Sequence, residues 1–375
     1  MSDPAERDLL MIPGPVSVEP EVLAELARPV RPHYGADWTV DYNRIAAGLS
    51  QVFETEQSTT LLFGPGMAGI ESAIASSLAP GDEILIPANG MFGDRMVEVA
   101  RAAGLVIRTG ARPALAAPVD LNEVERTLRE HPRIRALGVV HHETMFGLMN
   151  PLRELCELAR ERGLLVIVDA ISSLGGSELS VDAWGIDVCV AVGNKCLGGP
   201  VGIAPVVAGP RAWEAIQDGR EKRAGWYLDL RTWRHAEEIW GDWHPHPTTM
   251  PTSIVDALGV AVDRVLATGL PAHRERQAAA ARRVRSGLRE LGVELLVPDE
   301  IASPVTTAAR APAWMDVDHY MAWLQEEHHL RIAGSVGELH GKAFRVGHMA
   351  RAAAPEAVEA YLEATAAYVK RGRHA

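Results

Sequence analysis

Apolar runs of strand length recur through the first half of the chain, at Thr60 to Phe63, Glu83 to Pro87, Val106 to Thr109, Ala136 to Val140, Leu164 to Val168 and Val188 to Val192. Between them, Met91 to Ala103, Leu121 to Arg129 and Leu152 to Arg162 place apolar residues at the three-to-four spacing of a helix with one buried face. Strands apolar on both faces that alternate with amphipathic helices predict a largely parallel sheet covered on both sides, an α/β arrangement. The punctuation agrees. Asn150-Pro151 opens one helix and Gly163 stops it, and Pro80-Gly81-Asp82 closes another before the next strand.

The pattern breaks from Gly219 to Pro251, where Trp226, Trp233, Trp240, Trp243 and the run His244-Pro245-His246-Pro247 follow neither period. A stretch of this length reads as a functional or interface loop, its tryptophans anchoring a contact. Helical patterning resumes over Ile254 to Ala267 and Pro271 to Leu291. Strands at Val293 to Val297, Val305 to Ala309 and Ala343 to Gly347, with helices at Asp316 to Glu327 and Pro355 to Lys370, complete an α+β unit. The predicted division is an N-terminal segment over 1–16, a large domain over 17–269 and a small domain over 270–375. No internal repeat is visible in the sequence.

Composition narrows the function. With 375 residues, 47% hydrophobic and 23% charged, the chain is neither disordered nor a small disulfide scaffold and can build two cores. A formal charge of −12 disfavours nucleic acid and anionic membranes and points to small-molecule chemistry. Cys156, Cys189 and Cys196 read as reduced thiols of a reducing compartment. Met1 to Asp8 is charged, and no apolar run of membrane-spanning length follows, so a cytoplasmic location is expected.

Gly64-Pro65-Gly66-Met67-Ala68-Gly69 follows a strand and opens a helix predicted over Ile70 to Leu78. Backbone amides at such a helix start can take a phosphate. A dinucleotide fold also requires an acid after the next strand, and Ala88-Asn89-Gly90 supplies none. Asp169 follows the strand Leu164 to Val168, and Lys195 follows Val188 to Val192 within Gly193 to Gly199. Singly, an aspartate after a strand can be a turn cap and a lysine in a glycine-rich loop a solvated charge. Together, a lysine, a carboxylate and a phosphate-grade helix start at the carboxyl ends of strands match what pyridoxal phosphate demands.

The chain resembles the class V, fold type I aminotransferases, near the alanine–glyoxylate, serine–pyruvate and pyridoxamine–pyruvate branch. The resemblance rests on Ile12 to Val16, Asn89 to Arg95, His142-Glu143-Thr144 with Gly147, Asn150 and Pro151, Val168 to Gly176, Asp182 to Asp187, Asn194 to Leu197, and Phe344 to Gly347. It implies a large domain with a mostly parallel seven-stranded sheet, a smaller C-terminal α+β domain, pyridoxal 5'-phosphate and a homodimer with shared sites. Lys195 would form the Schiff base and Asp169 pair with the pyridine nitrogen. Phe92 would stack on the ring, with Gly66, Met67, Ala68 and Asn194 around the phosphate and Thr144 and Ser172 beside the ring. Thr248 or Thr249 would reach the partner's phosphate, and Gly14, Tyr34 and Arg345 would face the substrate, Arg345 gripping its carboxylate.

Three departures stand out. Pro65 and Met67 occupy positions that relatives fill with small polar or histidine residues, and His33-Tyr34 replaces a His-Arg pair at the substrate mouth. Pro65 and Val336 occupy the positions of a carboxylate and an arginine of the pyridoxamine–pyruvate enzymes, which argues against that substrate. The activity expected is transfer of an amino group from a small amino acid to a 2-oxo acid such as pyruvate or glyoxylate. Alternatives are a lyase, decarboxylase or racemase on the same fold, a nucleotide-dependent oxidoreductase, or a non-catalytic binding protein. The pairs His141-His142, His244-x-His246 and His328-His329 lack zinc-site spacing, and no metal is expected.

Overall fold

The computed structural model describes residues 8–372. Its central sheet has seven strands: β1 (Thr59–Phe63), β2 (Glu83–Leu85), β3 (Val106–Arg108), β4 (Ile134–Val140), β5 (Leu165–Asp169), β6 (Val188–Val190) and β7 (Ile203–Ala208). Their spatial order is β1-β7-β6-β5-β4-β2-β3. The pairs from β3 across to β6 are parallel, whereas β7 runs antiparallel to both of its neighbours. The helices Met91–Ala102, Leu121–Glu130 and Leu152–Glu161 carry the crossovers that parallel pairing requires. Every residue of β5, β6 and β7 is buried, which explains strands apolar on both faces.

A second, antiparallel sheet combines β8 (Glu294–Leu295), β9 (Thr306–Arg310), β10 (Ala333–Gly334) and β11 (Ala343–Gly347) in the order β8-β9-β11-β10. Its own core gathers Val284, Tyr320, Leu324, Phe344 and Tyr361 from this sheet and its helices. The start of the chain belongs to this unit, because Leu9–Leu10 pairs in parallel with Leu330–Arg331 and Gly347 N–H donates to Met11 O. From there residues 12–16 run back to the large sheet, where Val16 N–H donates to Asn194 O at 3.3 Å.

The expected elements recur with shifted ends, some shorter, as Glu83–Leu85, and some longer, as Ile134–Val140 and Thr252–Thr268, and two expectations need correction. The segment Gly219 to Pro251 is not one loop, since it holds the helices Gly225–Leu228 and Leu230–Trp240. Leu230, Trp233 and Ala236 form the buried face of the second helix. The antiparallel strand β7 also escapes the hydrophobic reading, because Pro205 sits within it and a proline argues against an interior strand. The helix expected from Ile70 begins instead at Gly66, inside the glycine run. No helix among the described residues is long and apolar enough to cross a membrane.

Candidate active site

The carboxyl ends of the parallel strands bring together residues that lie far apart in the chain. Asp169 is the last residue of β5 and is only 5% exposed. Its Oδ1 accepts Ile171 N–H at 2.9 Å. Burial raises its carboxyl to about 6, against the pull of that N–H and of the Lys195 cation. Lys195 follows the neighbouring strand β6 and donates from Nζ to Pro13 O. Burial lowers its ammonium to about 8; the Cys196 thiol and Asp169 oppose that shift and the Arg345 cation adds to it. Gly14 leaves the room for this lysine, since a Cβ there would lie 2.5 Å from Lys195 Cδ and Cε.

The helix Gly66–Ser77 starts beside these strand ends, and no side chain caps it. Gly66 is required by close approach, because a Cβ would stand 2.6 Å from Ile171 Cδ1 and 2.8 Å from Val192 Cγ1. The amides of Gly66, Met67 and Ala68 therefore open the helix next to the Asp169 strand end, and only Ala68 N–H turns back, to Pro65 O at 2.8 Å. Asn194 precedes Lys195 in the same loop and is half-buried. Thr144 and Ser172 are buried and share a hydrogen bond between their hydroxyls at 2.8 Å. Phe92 lies in the first turn of the helix Met91–Ala102, with the Arg95 guanidinium 5.2 Å from its ring centre.

Arg345 reaches the same region from β11 of the second sheet. Its Nε and Nη2 donate to Gly334 O at 3.2 and 2.9 Å. Burial lowers its ordinary value, and the Glu143 carboxylate counteracts that cost. The structure therefore gathers Asp169, Lys195, Gly66, Ser172 and Gly14 at the carboxyl-end rim of the sheet, joins Thr144 to them through Ser172 and Phe92 through Glu143, and sets Arg345 electrostatically close. Thr248, Thr249 and Tyr34 stand apart from it. Thr249 and Tyr34 are exposed, and no contact among the described residues joins any of the three to Asp169 or Lys195.

Two neighbours carry no role in the sequence reading. Glu143 is wholly buried, and burial lifts its carboxyl to about 7 although Met145, Phe92 and Gly93 donate backbone N–H groups to it. His142 donates from Nδ1 to Ser172 O at 3.1 Å, and burial drops it to about 3, so it is neutral. The available signal was their position, directly after an apolar strand and next to Thr144.

The residues fit pyridoxal phosphate. A buried carboxylate whose hydrogen-bond partner among the described residues is a single backbone N–H has no cation hydrogen-bonded to it, which fits the partner of a pyridinium. A glycine-opened helix start adjoins it, and the lysine is held nearby. The oxidoreductase alternative has no such support, because Asn89 spends its amide on Asn150 Oδ1 and Ala117 O. The histidines also rearrange on folding: the ring nitrogens of His33, His244 and His246 lie within 4.8 Å of one another. Yet His246 Nδ1 donates to Thr248 O at 2.7 Å and its Nε2 accepts Trp38 Nε1–H at 2.9 Å, so both of its nitrogens are engaged.

Comparison with known proteins agrees with this geometry. Residues 24–353 match the aminotransferase class-V family. An uncharacterized aminotransferase of Methanocaldococcus jannaschii is 35% identical over 92% of this chain and 88% of its own. The pyridoxamine–pyruvate transaminase of Mesorhizobium japonicum is 30% identical over 94% of this chain and 88% of its own. The crystal structure of an alanine–glyoxylate aminotransferase from Nostoc sp. superposes with a TM-score of 0.91 at 32% identity, covering 99% of this chain and 97% of that one. The chain belongs to the class V aminotransferases and is a pyridoxal-phosphate-dependent enzyme of fold type I. These relatives support amino transfer and lend nothing to the lyase, decarboxylase or racemase alternative.

Proposed function

We propose that the enzyme moves an amino group from a small amino acid to pyruvate or glyoxylate, as a cytoplasmic homodimer whose sites lie between subunits. The observation that carries this reading is the buried pair Asp169 and Lys195 at neighbouring strand ends, with Arg345 entering from the second sheet. We take 17–269 as the large cofactor-bearing domain, 270–375 as the small domain and 1–16 as a segment linking them. The separate hydrophobic cores support that division.

Bound pyridoxal phosphate supplies an electron sink for the carbanion that forms when the donor loses its Cα proton. Asp169, buried at the end of β5, would pair with the ring nitrogen and keep it protonated. The amides of Gly66 and Met67, with Asn194, would hold the phosphate, Ala68 lining the same helix start while its own N–H is taken by Pro65 O, and Thr248 or Thr249 of the second subunit would complete its shell. Phe92 would stack on the cofactor ring, and the Thr144 and Ser172 hydroxyls, hydrogen-bonded to each other, would stand beside it. Lys195 Nζ, whose ammonium burial lowers to about 8, would take the proton from the donor's Cα as general base and return it as general acid. Arg345 would grip the substrate carboxylate as a fork, with Gly14 beside Lys195 and Tyr34 reaching the mouth from the second subunit.

A dimer is supported by the apolar surface around residue 240: Tyr34, Trp226, Trp240 and Trp243 are all exposed. Tyr34 packs edge-on against Trp243 with ring centres 6.2 Å apart, so this surface is already ordered within one subunit. The test is direct. Purified protein is loaded with pyridoxal phosphate, its visible absorbance recorded, the sample reduced with borohydride and the tagged peptide located. A tag on Lys195, with amino transfer to pyruvate or glyoxylate from an added amino acid, is expected. Absence of visible absorbance, or a tag on another lysine, would overturn the reading.

A further inference from the structure

Glu143 stands just beyond the carboxyl end of β4, in the two-residue strand His142–Glu143, and none of its surface reaches solvent. Its carboxylate spans two chain segments: Oε2 accepts Phe92 N–H at 3.1 Å and Oε1 accepts Met145 N–H at 3.2 Å. Gly93 N–H also points to it. Phe92 and Gly93 lie in the first turn of the helix Met91–Ala102, where backbone N–H groups have no partner within the helix. The residue at the helix start is Gly90, which has no side chain to cap them.

Glu143 therefore supplies the cap from the remote strand His142–Glu143, and in its ionised form sets a negative charge at the positive end of the helix dipole. Gly90 is the counterpart of this arrangement. Its backbone is extended, with φ −166°, a conformation open to any residue, so glycine is not needed for conformation. It is needed for space, because a Cβ would stand 2.6 Å from Glu143 Oε2.

Given the reading of the site above, on which this step rests, we propose that Glu143 is a positioning residue: by holding the Phe92 and Gly93 amides it fixes the Phe92 ring over the bound cofactor. The cap ties the first helical turn to the segment that carries Thr144, so the ring on one side of the cofactor and the hydroxyl at its edge are set by a single carboxyl. Glutamine keeps the size but offers one oxygen where the carboxylate offers two, and it turns an NH2 group toward a backbone N–H.

The test is a double-mutant cycle on the pyridoxal-phosphate holoenzyme with E143Q, F92A and the pair. Two quantities are read: the cofactor dissociation constant, and the visible circular dichroism that the bound ring acquires from its fixed surroundings. E143Q is expected to weaken cofactor binding about tenfold, the worth of one charge-assisted hydrogen bond, and to reduce the visible ellipticity. In the F92A background the same change should cost less than about twofold, since the ring it positions is gone. G90A, which pushes on the carboxyl from the other side, should reproduce the E143Q pattern and stands in if E143Q fails to fold. Wild-type protein that takes up no pyridoxal phosphate overturns the reading of the site and this role with it. Wild-type that takes it up, while the E143Q and F92A effects multiply independently or E143Q leaves ellipticity and affinity unchanged, overturns the positioning role alone.

Discussion

The interior of the central sheet and the Asp169 end of β5 are both buried and opposite in energetic sign. Val166, Ile167 and Val168 of β5 are wholly inaccessible, and Asp169, the next residue, is scarcely less so. In the strand interior, burial removes apolar surface from water and stabilises the fold by about 25 cal/mol per Å². At the rim it removes ions from water. The same exclusion of solvent raises Asp169 to about 6 and Glu143 to about 7 and lowers Lys195 to about 8. The rim is thus built at the expense of stability, supported by the strands beneath it, and backbone groups meet its charges: Ile171 N–H on Asp169, Phe92 and Met145 N–H on Glu143 and Pro13 O on Lys195.

That contrast can be broken most severely at Lys195. Lys195→Ala should lower amino transfer by about 10²–10⁴-fold, the usual worth of a positioned acid/base group, while the unfolding temperature of cofactor-free protein at pH 7 holds or rises. Turnover near the wild-type rate, followed by product formation, would remove Lys195 from the mechanism. Ile167→Ala, two residues from Asp169 but in the strand interior, should do the reverse. It should cost about 2–5 kcal/mol in denaturant unfolding and leave turnover per folded molecule nearly unchanged.

Asp169→Asn tests the rim through pH. The folded value is raised above the usual 3.8 to about 6, so its contribution to stability is present below 3.8 and lost as pH rises through 6. The asparagine variant, free of cofactor, should match wild-type near pH 4 and exceed it by about 2 kcal/mol at pH 8, with turnover much reduced. Denaturant midpoints at both pH values check the sign. Equal stability at pH 8 would mean that the buried carboxylate carries no such cost. The smallest expected effect is at the entrance: Arg345→Ala should raise KM for carboxylate substrates about tenfold or more while the cofactor stays bound. An unchanged KM would detach Arg345 from substrate binding.

Much of the sheet was legible because each buried strand is apolar on both faces and each crossover helix has one apolar face. Asp169 and Lys195 stood out for the same reason, as charges directly after such strands. Strand β7 was not legible, since Pro205 within it mimics a breaker while its neighbours hold it from both sides. The helix Leu230–Trp240 was hidden because its buried face is a leucine, a tryptophan and an alanine amid arginines, a histidine and glutamates. Glu143 was visible only as part of a motif; that its two oxygens cap another helix depends on where that helix begins.

Local periodicity thus determined the elements, because burial of a face is decided within a few residues along the chain. Which charges would be buried together was decided only by the tertiary structure. Arg345 comes from a different sheet, Pro13 from the chain start and Glu143 from a separate loop. The protonation of Asp169, Lys195 and Glu143 follows from desolvation and from charges a few ångströms away, and neither has any counterpart in sequence distance.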